Sequence, residues 1–404
     1  MRRLGACLLL TAACVLTVAP RAPLDAQCND GRNPVTEVGA RFQLAQKLIT
    51  ATRNNPLPLV HESPTDPVRY LRTRLSARNF GTGSWYLTVR DFQGHPLDVF
   101  SREDFVASRD RWTGRIPGSV ATIDLSLLSA TSPEIEVTEY IAMPRTASNP
   151  YYSVKKRGQE DFHPVYSGHD DVDRKYRVWA DVVAFVMASW GDRVWGCSGV
   201  VVGPRLLMTA WHCGGAGADR MPDNAYWNTD ICRDLLVDLS WDDDLSSRDY
   251  GCVRVVDKDK ERDFALLEIA AIGSTGEPRP AMLSARPLAK DDPVVVIHHP
   301  LYMQKQLTRH CGVQSWTVAG WIGRPPDVDF SHDCDTEGGS SGAPVFNSAG
   351  AVVGLHHHGH SIDPNTCQET DKVNKAVRMD RIVEFLDANK ANNGNVAARL
   401  SIER

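Results

Sequence analysis

The chain comprises 404 residues, of which 42% are hydrophobic, and its formal net charge is -5. So long a chain is expected to fold as two compact units. Lys and Arg are dispersed and outnumbered by Asp and Glu, 45 to 50, which excludes the concentrated basic face of a nucleic-acid-binding protein.

The first predicted element is a secretory signal over residues 1–26. Arg2 and Arg3 precede a short apolar run from Leu4 to Val18, and Ala26 is a candidate processing point. That run falls short of the ~20 residues that span a bilayer, which disfavours a membrane anchor, and no later segment could cross one. The expected location is secreted or periplasmic. Loss of the signal removes Cys7 and Cys14 and leaves Cys28, Cys197, Cys213, Cys232, Cys252, Cys311, Cys334 and Cys367. An even set in an exported protein reads as disulfides. Cys197 with Cys213 is the firmest pairing, because it would staple the loop that carries His212. Proximity in sequence suggests Cys232 with Cys252 and Cys311 with Cys334, leaving Cys28 with Cys367 as a clamp between the ends. A zinc site competes, but no Cys-x-x-Cys pair supports it, and neither metal nor other cofactor is expected.

Between Pro34 and Thr50, Val38, Phe42, Ala45 and Ile49 fall at helical spacing and predict a short amphipathic helix. From Val60 the pattern changes to alternation: Trp85, Leu87 and Val89; then Leu97 and Val99; then Ala121, Ile123 and Leu125 after the Pro117-Gly118 turn. Short strands between Gly, Pro and Asp turns predict a β-sandwich-like unit over 27–145. Residues 146–177 are polar and charge-rich and read as a linker. Its acidic cluster Asp170, Asp171 and Asp173 lacks the glycine and distal glutamate of a calcium loop and is expected to be solvated. Strands follow at Val182–Val186, Val200–Val202, Leu206–Thr209, Ala265–Ile269, Val294–Ile297 and Ala351–Leu355, and Met379, Ile382, Val383 and Leu386 mark a closing helix. The second unit is placed at 178–390, with a tail over 391–404.

Three motifs carry the chemistry. Thr209-Ala210-Trp211-His212-Cys213 supplies an imidazole, Asp263-Phe264-Ala265-Leu266-Leu267 a carboxylate at the start of a buried strand, and Gly338-Gly339-Ser340-Ser341-Gly342-Ala343-Pro344 a hydroxyl in a glycine turn. A serine hydroxyl is a poor nucleophile until an imidazole accepts its proton, and a carboxylate must hold that imidazole in the right tautomer. Ser341, His212 and Asp263 are assigned these roles, with Asp259 and Glu261 as neighbouring alternatives to the carboxylate. The glycines suit a turn whose amides, Gly339 and Ser341, point at a tetrahedral oxyanion.

The segment from Val182 to Leu386 resembles the chymotrypsin-like serine peptidases, and among them the bacterial glutamyl and lysyl endopeptidases. The resemblance rests on the three motifs together with Gly196-Cys197-Ser198-Gly199 and Val352-Val353-Gly354-Leu355-His356. It implies an all-β fold of two six-stranded antiparallel barrels with a C-terminal helix and a triad between them. It also implies a secreted endopeptidase acting on protein or peptide substrates through an acyl-enzyme, expected as a monomer. Two departures stand out. Ser340 occupies the place of the aspartate that, in vertebrate digestive members, pairs with a new N-terminus on activation. Trp211 stands where a small residue usually precedes the histidine, and could crowd the base or fill a gap.

Two specificity pockets remain open. Thr336, five residues before Ser341, and His356, fifteen after it, match positions that bind an acidic side chain in glutamyl members. Asp335 and Asp371 instead suit a basic side chain, and lysyl members share a similar threonine and histidine. Acidic specificity is the first expectation and Lys/Arg specificity the alternative. His356, His357, His358 and His360 do not suggest a metal site, because neighbouring strand residues point to opposite faces; the backbone after His356 is instead expected to pair with substrate. His298 and His299 are read as a strand end. A catalytically impaired peptidase-fold binding protein is the reading from another class. An α/β-hydrolase esterase centred on Ser340 fails because no histidine follows the downstream aspartates.

Overall fold

The computed structural model describes residues 36–49, 53–62, 68–128, 131–144, 153–154, 161–166, 174–215, 221–242, 248–273, 275–318, 326–359, 361–362, 369–371 and 374–404. The expected signal, the Cys28–Cys367 clamp and the acidic cluster at 170–173 lie outside them.

Two closed antiparallel barrels form the C-terminal part. In the first, strands Val183–Trp190, Arg193–Gly203, Leu206–Thr209, Phe264–Ala271, Asp249–Asp259 and Leu236–Asp238 pair in that cyclic order, and the last returns to the first. The second closes in the same way through Pro293–His298, Gln306–Val318, Asp329–His332, Asn374–Arg378, Val352–His358 and Pro344–Asn347. Closure removes exposed strand edges and lets inward side chains such as Val200, Leu207, Leu266 and Ile269 fill the interior. The helix Met379–Ala388 buries Met379, Ile382, Val383 and Leu386, the four positions that its sequence spacing selects. The tail is structured: Ile402–Glu403 pairs in parallel with Leu283–Ser284.

Before the barrels lies a two-sheet sandwich. One sheet contains Thr36–Leu48, Glu134–Pro144, Val68–Asn79 and Asp110–Trp112, and the other contains Leu57–Val60, Val120–Leu127, Trp85–Arg90 and Pro96–Ser101. Leu71, Leu75, Leu87, Val89, Ile123 and Val137 fill the space between them. In the strand Pro96–Ser101 it is Asp98 and Phe100 that turn inward, and Val99 is exposed. Asp98 tolerates burial because its carboxylate accepts the Gly114 N–H at 2.8 Å.

The helix expected over 34–50 is a strand, Thr36–Leu48. Its apolar residues Val38 and Phe42 are four apart, a spacing that satisfies a helical turn and also two steps of strand alternation. Pairing decides the outcome, since this strand joins Arg193–Gly203 on one side and Glu134–Pro144 on the other, making the sandwich sheet continuous with the first barrel. Buried ions reinforce that seam. Arg72 donates to the main-chain oxygens of Thr113, Asp234 and Leu235, Arg115 pairs with Asp238, and Arg41 pairs with Asp234.

Part of the region read as a linker is docked. His163–Pro164 pairs with the Gln306–Val318 strand, and the Asp161 carboxylate accepts the Arg309 and His310 amides. Those bonds to a fixed strand hold this part of the linker in place.

Candidate active site

His212 lies in the short 3-10 turn Trp211–Gly214 that follows the strand Leu206–Thr209, and it is buried. Asp263 sits immediately before the strand Phe264–Ala271 with a φ of +45°, a left-handed conformation that aspartate tolerates better than bulkier residues. The Asp263 carboxylate takes the His212 main-chain N–H at Oδ1 (2.9 Å) and the His212 Nδ1–H at Oδ2 (2.8 Å). Two bonds to one residue fix the ring's orientation and place its remaining proton on Nδ1, so Nε2 keeps a free lone pair. Asp263 is wholly buried, which makes this pairing obligatory.

The turn bearing Ser341 is pressed against the segment bearing His212. The Ser341 carbonyl accepts the Ser198 N–H at 2.8 Å, and Cys197, next to Ser198, is disulfide-bonded to Cys213, next to His212. A Cβ on Gly342 would lie 2.3 Å from the Ser198 oxygen and 2.8 Å from the Ala210 nitrogen, so only glycine permits this approach. Ser198 ties the site further: its hydroxyl donates to Gly339 O at 2.9 Å and accepts the His299 N–H at 3.0 Å. The sequence motif around Cys197 marked the place without showing this role.

Within the turn, the Ser340 amide bonds Glu337 O and the Gly342 amide bonds His356 O. The Gly339 and Ser341 amides have no acceptor among the described residues. Gly339 has a φ of +96°, and a Cβ there would meet His299 O at 2.6 Å. The arrangement leaves the Gly339 and Ser341 main-chain donors free in the serine turn. Neither the Ser341 hydroxyl nor His212 Nε2 has a hydrogen-bond partner among the described residues.

Residues 197–355 match the family model described as "Trypsin-like peptidase domain". This part of the chain is a trypsin-like peptidase domain. Among solved structures, the chain is similar to an inactive Ser343Ala mutant of Rv3671c from M. tuberculosis H37Rv, at 17% identity and a TM-score of 0.40 over 56% of this chain and 97% of that one. It is also similar to the MamO protease domain from Magnetospirillum magneticum, at 16% identity and a TM-score of 0.38 over 52% of this chain and 98% of that one. No curated protein matches the chain.

The peptidase domain carries three disulfides among its described residues, Cys197–Cys213, Cys232–Cys252 and Cys311–Cys334. Trp211 stacks face to face on Tyr226, with centroids 4.1 Å apart and planes within 3°. It fills a gap beside His212 and leaves the His212–Asp263 bond intact. Ser340 is fully buried, with its hydroxyl 2.7 Å from His298 Nδ1 and accepting the Glu337 N–H. A hydroxyl so enclosed is no nucleophile, and burial drives His298 down to about 3.

The specificity candidates divide. Thr336 donates its hydroxyl hydrogen to Asn374 Oδ1, and Asn374 in turn donates to Cys334 O. His356 Nδ1 lies 3.2 Å from His332 Nε2, while His332 Nδ1 accepts the Cys334 N–H. Burial, reinforced by neighbouring His332, holds His356 well below the usual histidine range. The tautomers follow in turn: His332 donates from Nε2, so His356 accepts at Nδ1 and carries its own hydrogen on Nε2. Asp335 is nearly buried, and its Oδ2 accepts the Asp161 N–H at 2.9 Å. Asp371 lies in the short strand Glu369–Asp371, paired with Ser361–Ile362.

Sequence reasoning missed a further pair. Asp263 Oδ2 also lies 2.9 Å from His357 Nδ1, and His357 Nε2 lies 3.0 Å from Asp329 Oδ2. The histidine tract drew attention to His357, but no motif marks Asp329.

Proposed function

We propose that the chain is a secreted serine endopeptidase, acting as a monomer on protein or peptide substrates. The observation that carries this reading is the buried His212–Asp263 bond of 2.8 Å, beside a serine turn with two free amides. His212 Nε2 takes the proton as Ser341 Oγ attacks the scissile carbonyl. The Gly339 and Ser341 amides stabilise the resulting oxyanion, His212 passes its proton to the leaving amine, and water then frees the acyl group. Asp263 is not protonated at any step; it orients the imidazole and stabilises the imidazolium.

Acidic specificity is the preferred reading of the pocket. A neutral His356 that donates from Nε2 suits a carboxylate, whereas the Asp335 carboxylate already accepts a main-chain N–H. The backbone following His356 is the proposed place for an extended substrate strand to pair.

A fluorophosphonate probe tests the enzyme reading. Labelling of the wild type that disappears in Ser341→Ala supports it, and a folded but unlabelled wild type supports the binding-protein alternative. Digestion of a denatured protein mixture, with the cut sites sequenced, tests the pocket. Cuts after Glu support His356 and Thr336; cuts after Lys or Arg overturn them in favour of Asp335 or Asp371.

A further inference from the structure

Behind His212 the described side chains continue in a line through Asp263 and His357 to Asp329. The three distances are 2.8, 2.9 and 3.0 Å, and the side chains of Asp263, His357 and Asp329 are all shielded from solvent. Both ring nitrogens of His357 face carboxylate oxygens. An ionised carboxylate only accepts, so with both carboxylates ionised each nitrogen carries a hydrogen and the ring is an imidazolium. Resting on the triad assignment above, we propose that His357, charged and clamped between Asp263 and Asp329, is a positioning residue that holds Asp263 toward His212 and sets the net charge behind the base.

With both carboxylates ionised and His357 protonated, the trio presents a single net negative charge to His212. A lone triad aspartate would present the same charge with fewer anchors. Here Asp263 is held by the His212 amide, the His212 ring and the His357 ring, which limits its rotation. His357 gives up no proton during turnover. Burial alone would lower its pKa, but the two carboxylates, Asp329 foremost, overcome burial and raise it to about 9.

The fold explains why these residues meet. Asp329 begins the strand Asp329–His332 and pairs with Val377, which pairs on its other side with Leu355. His356 and His357 point to opposite faces of their strand, His356 toward His332 and His357 toward Asp263. The titratable groups around His357 are Asp263 from the turn before Phe264–Ala271, Asp329 from its own strand, His212 beyond Asp263, and the flanking His356 and His358. On the adjoining strand, Lys375 pairs with His358.

The test compares the full-length wild type with His357→Gln, Asp329→Asn and the double variant, reading the rate of fluorophosphonate labelling at Ser341 against pH. In His357→Gln two carboxylates face His212 without a counter-ion. The protonated base is then favoured, and the acidic limb of the profile should move up by about one pH unit while the plateau rate falls at least tenfold. Adding Asp329→Asn restores a single negative charge and should return the limb to its wild-type position, which a merely structural role does not predict. A wild-type limb and rate in His357→Gln, or a double variant that stays where His357→Gln lies, overturns the inference while leaving the triad assignment standing. A wild type that is folded but unlabelled removes the triad assignment itself, and the inference with it. If the variants fail to fold, nitrogen NMR of the Ser341→Ala protein at pH 7.5 decides the matter: both His357 nitrogens protonated supports the clamp, and a neutral ring overturns it.

Discussion

The Arg72 guanidinium, rooted in the sandwich, donates to the main-chain carbonyl of Asp234 in the first barrel at 2.7 Å. Its other donors reach Leu235 O and Thr113 O, and Arg72 is only 1% exposed. Arg72→Ala therefore leaves three carbonyls unsatisfied in a closed seam. A loss of roughly 2–4 kcal/mol is expected, read as a lower urea midpoint. Because the sandwich sheet runs into the barrel through Thr36–Leu48, the variant should still unfold in one transition. Two separated transitions would show that the units are independent.

The candidate site was largely legible because each residue proposed for the triad sits in a short local signature whose meaning does not depend on distant chain. Asp263 is fixed by the apolar strand that begins at its next residue, and Ser341 by glycines that only a tight turn requires. What was not legible arises from barrel closure. Asp329 and His357 are 28 residues apart and meet only because Asn374–Arg378 lies between their strands. The opening strand failed for a local reason: a four-residue apolar spacing is shared by both periodicities, and only its two partner strands decide between them.

Gly339→Ala tests the oxyanion donors. Its φ of +96° disfavours any side chain, and the added methyl would stand 2.6 Å from His299 O. The turn must shift and the Gly339 amide with it. Loss of one such donor lowers kcat by roughly 100- to 1,000-fold with KM little changed. A kcat within threefold of wild type would remove Gly339 from the role.

Removing the Cys197–Cys213 bridge as the double serine variant loosens the tie between the His212 segment and the Ser341 turn. A loop of this size is worth about 3 kcal/mol. The melting temperature should fall, and activity at a temperature well below it should fall too, because Ser198 loses the anchor beside it. Full activity with lowered stability would confine the bridge to stability alone.

His356→Ala and Asp335→Asn separate the two pockets. Loss of the His356 Nε2 donor should reduce kcat/KM for substrates with Glu before the cleaved bond by at least tenfold, mainly through KM. Asp335→Asn should leave the residue preference unchanged, since its Oδ2 is engaged with the Asp161 amide. A preference for Lys or Arg that collapses in Asp335→Asn would reverse the assignment.

Stability should form a dome in pH with histidines on both limbs. His298, His299 and His356 are buried with lowered pKa values, burial being the leading cause for each. Below the unfolded value of about 6.5 the unfolded chain binds protons that these rings refuse, so stability is lost as pH falls. His357 has the opposite sign. Its pKa is raised to about 9 against burial by Asp329 and Asp263, so its contribution is complete below about 6.5 and is lost as pH rises through 9. Melting temperatures measured from pH 4 to pH 10 should therefore peak near pH 6 to 7. In His357→Gln the alkaline decline between pH 6.5 and 9 should flatten while the acidic decline persists, because the three neutral histidines are untouched. An alkaline limb that is the same in both proteins would mean that His357 is not charged in the fold.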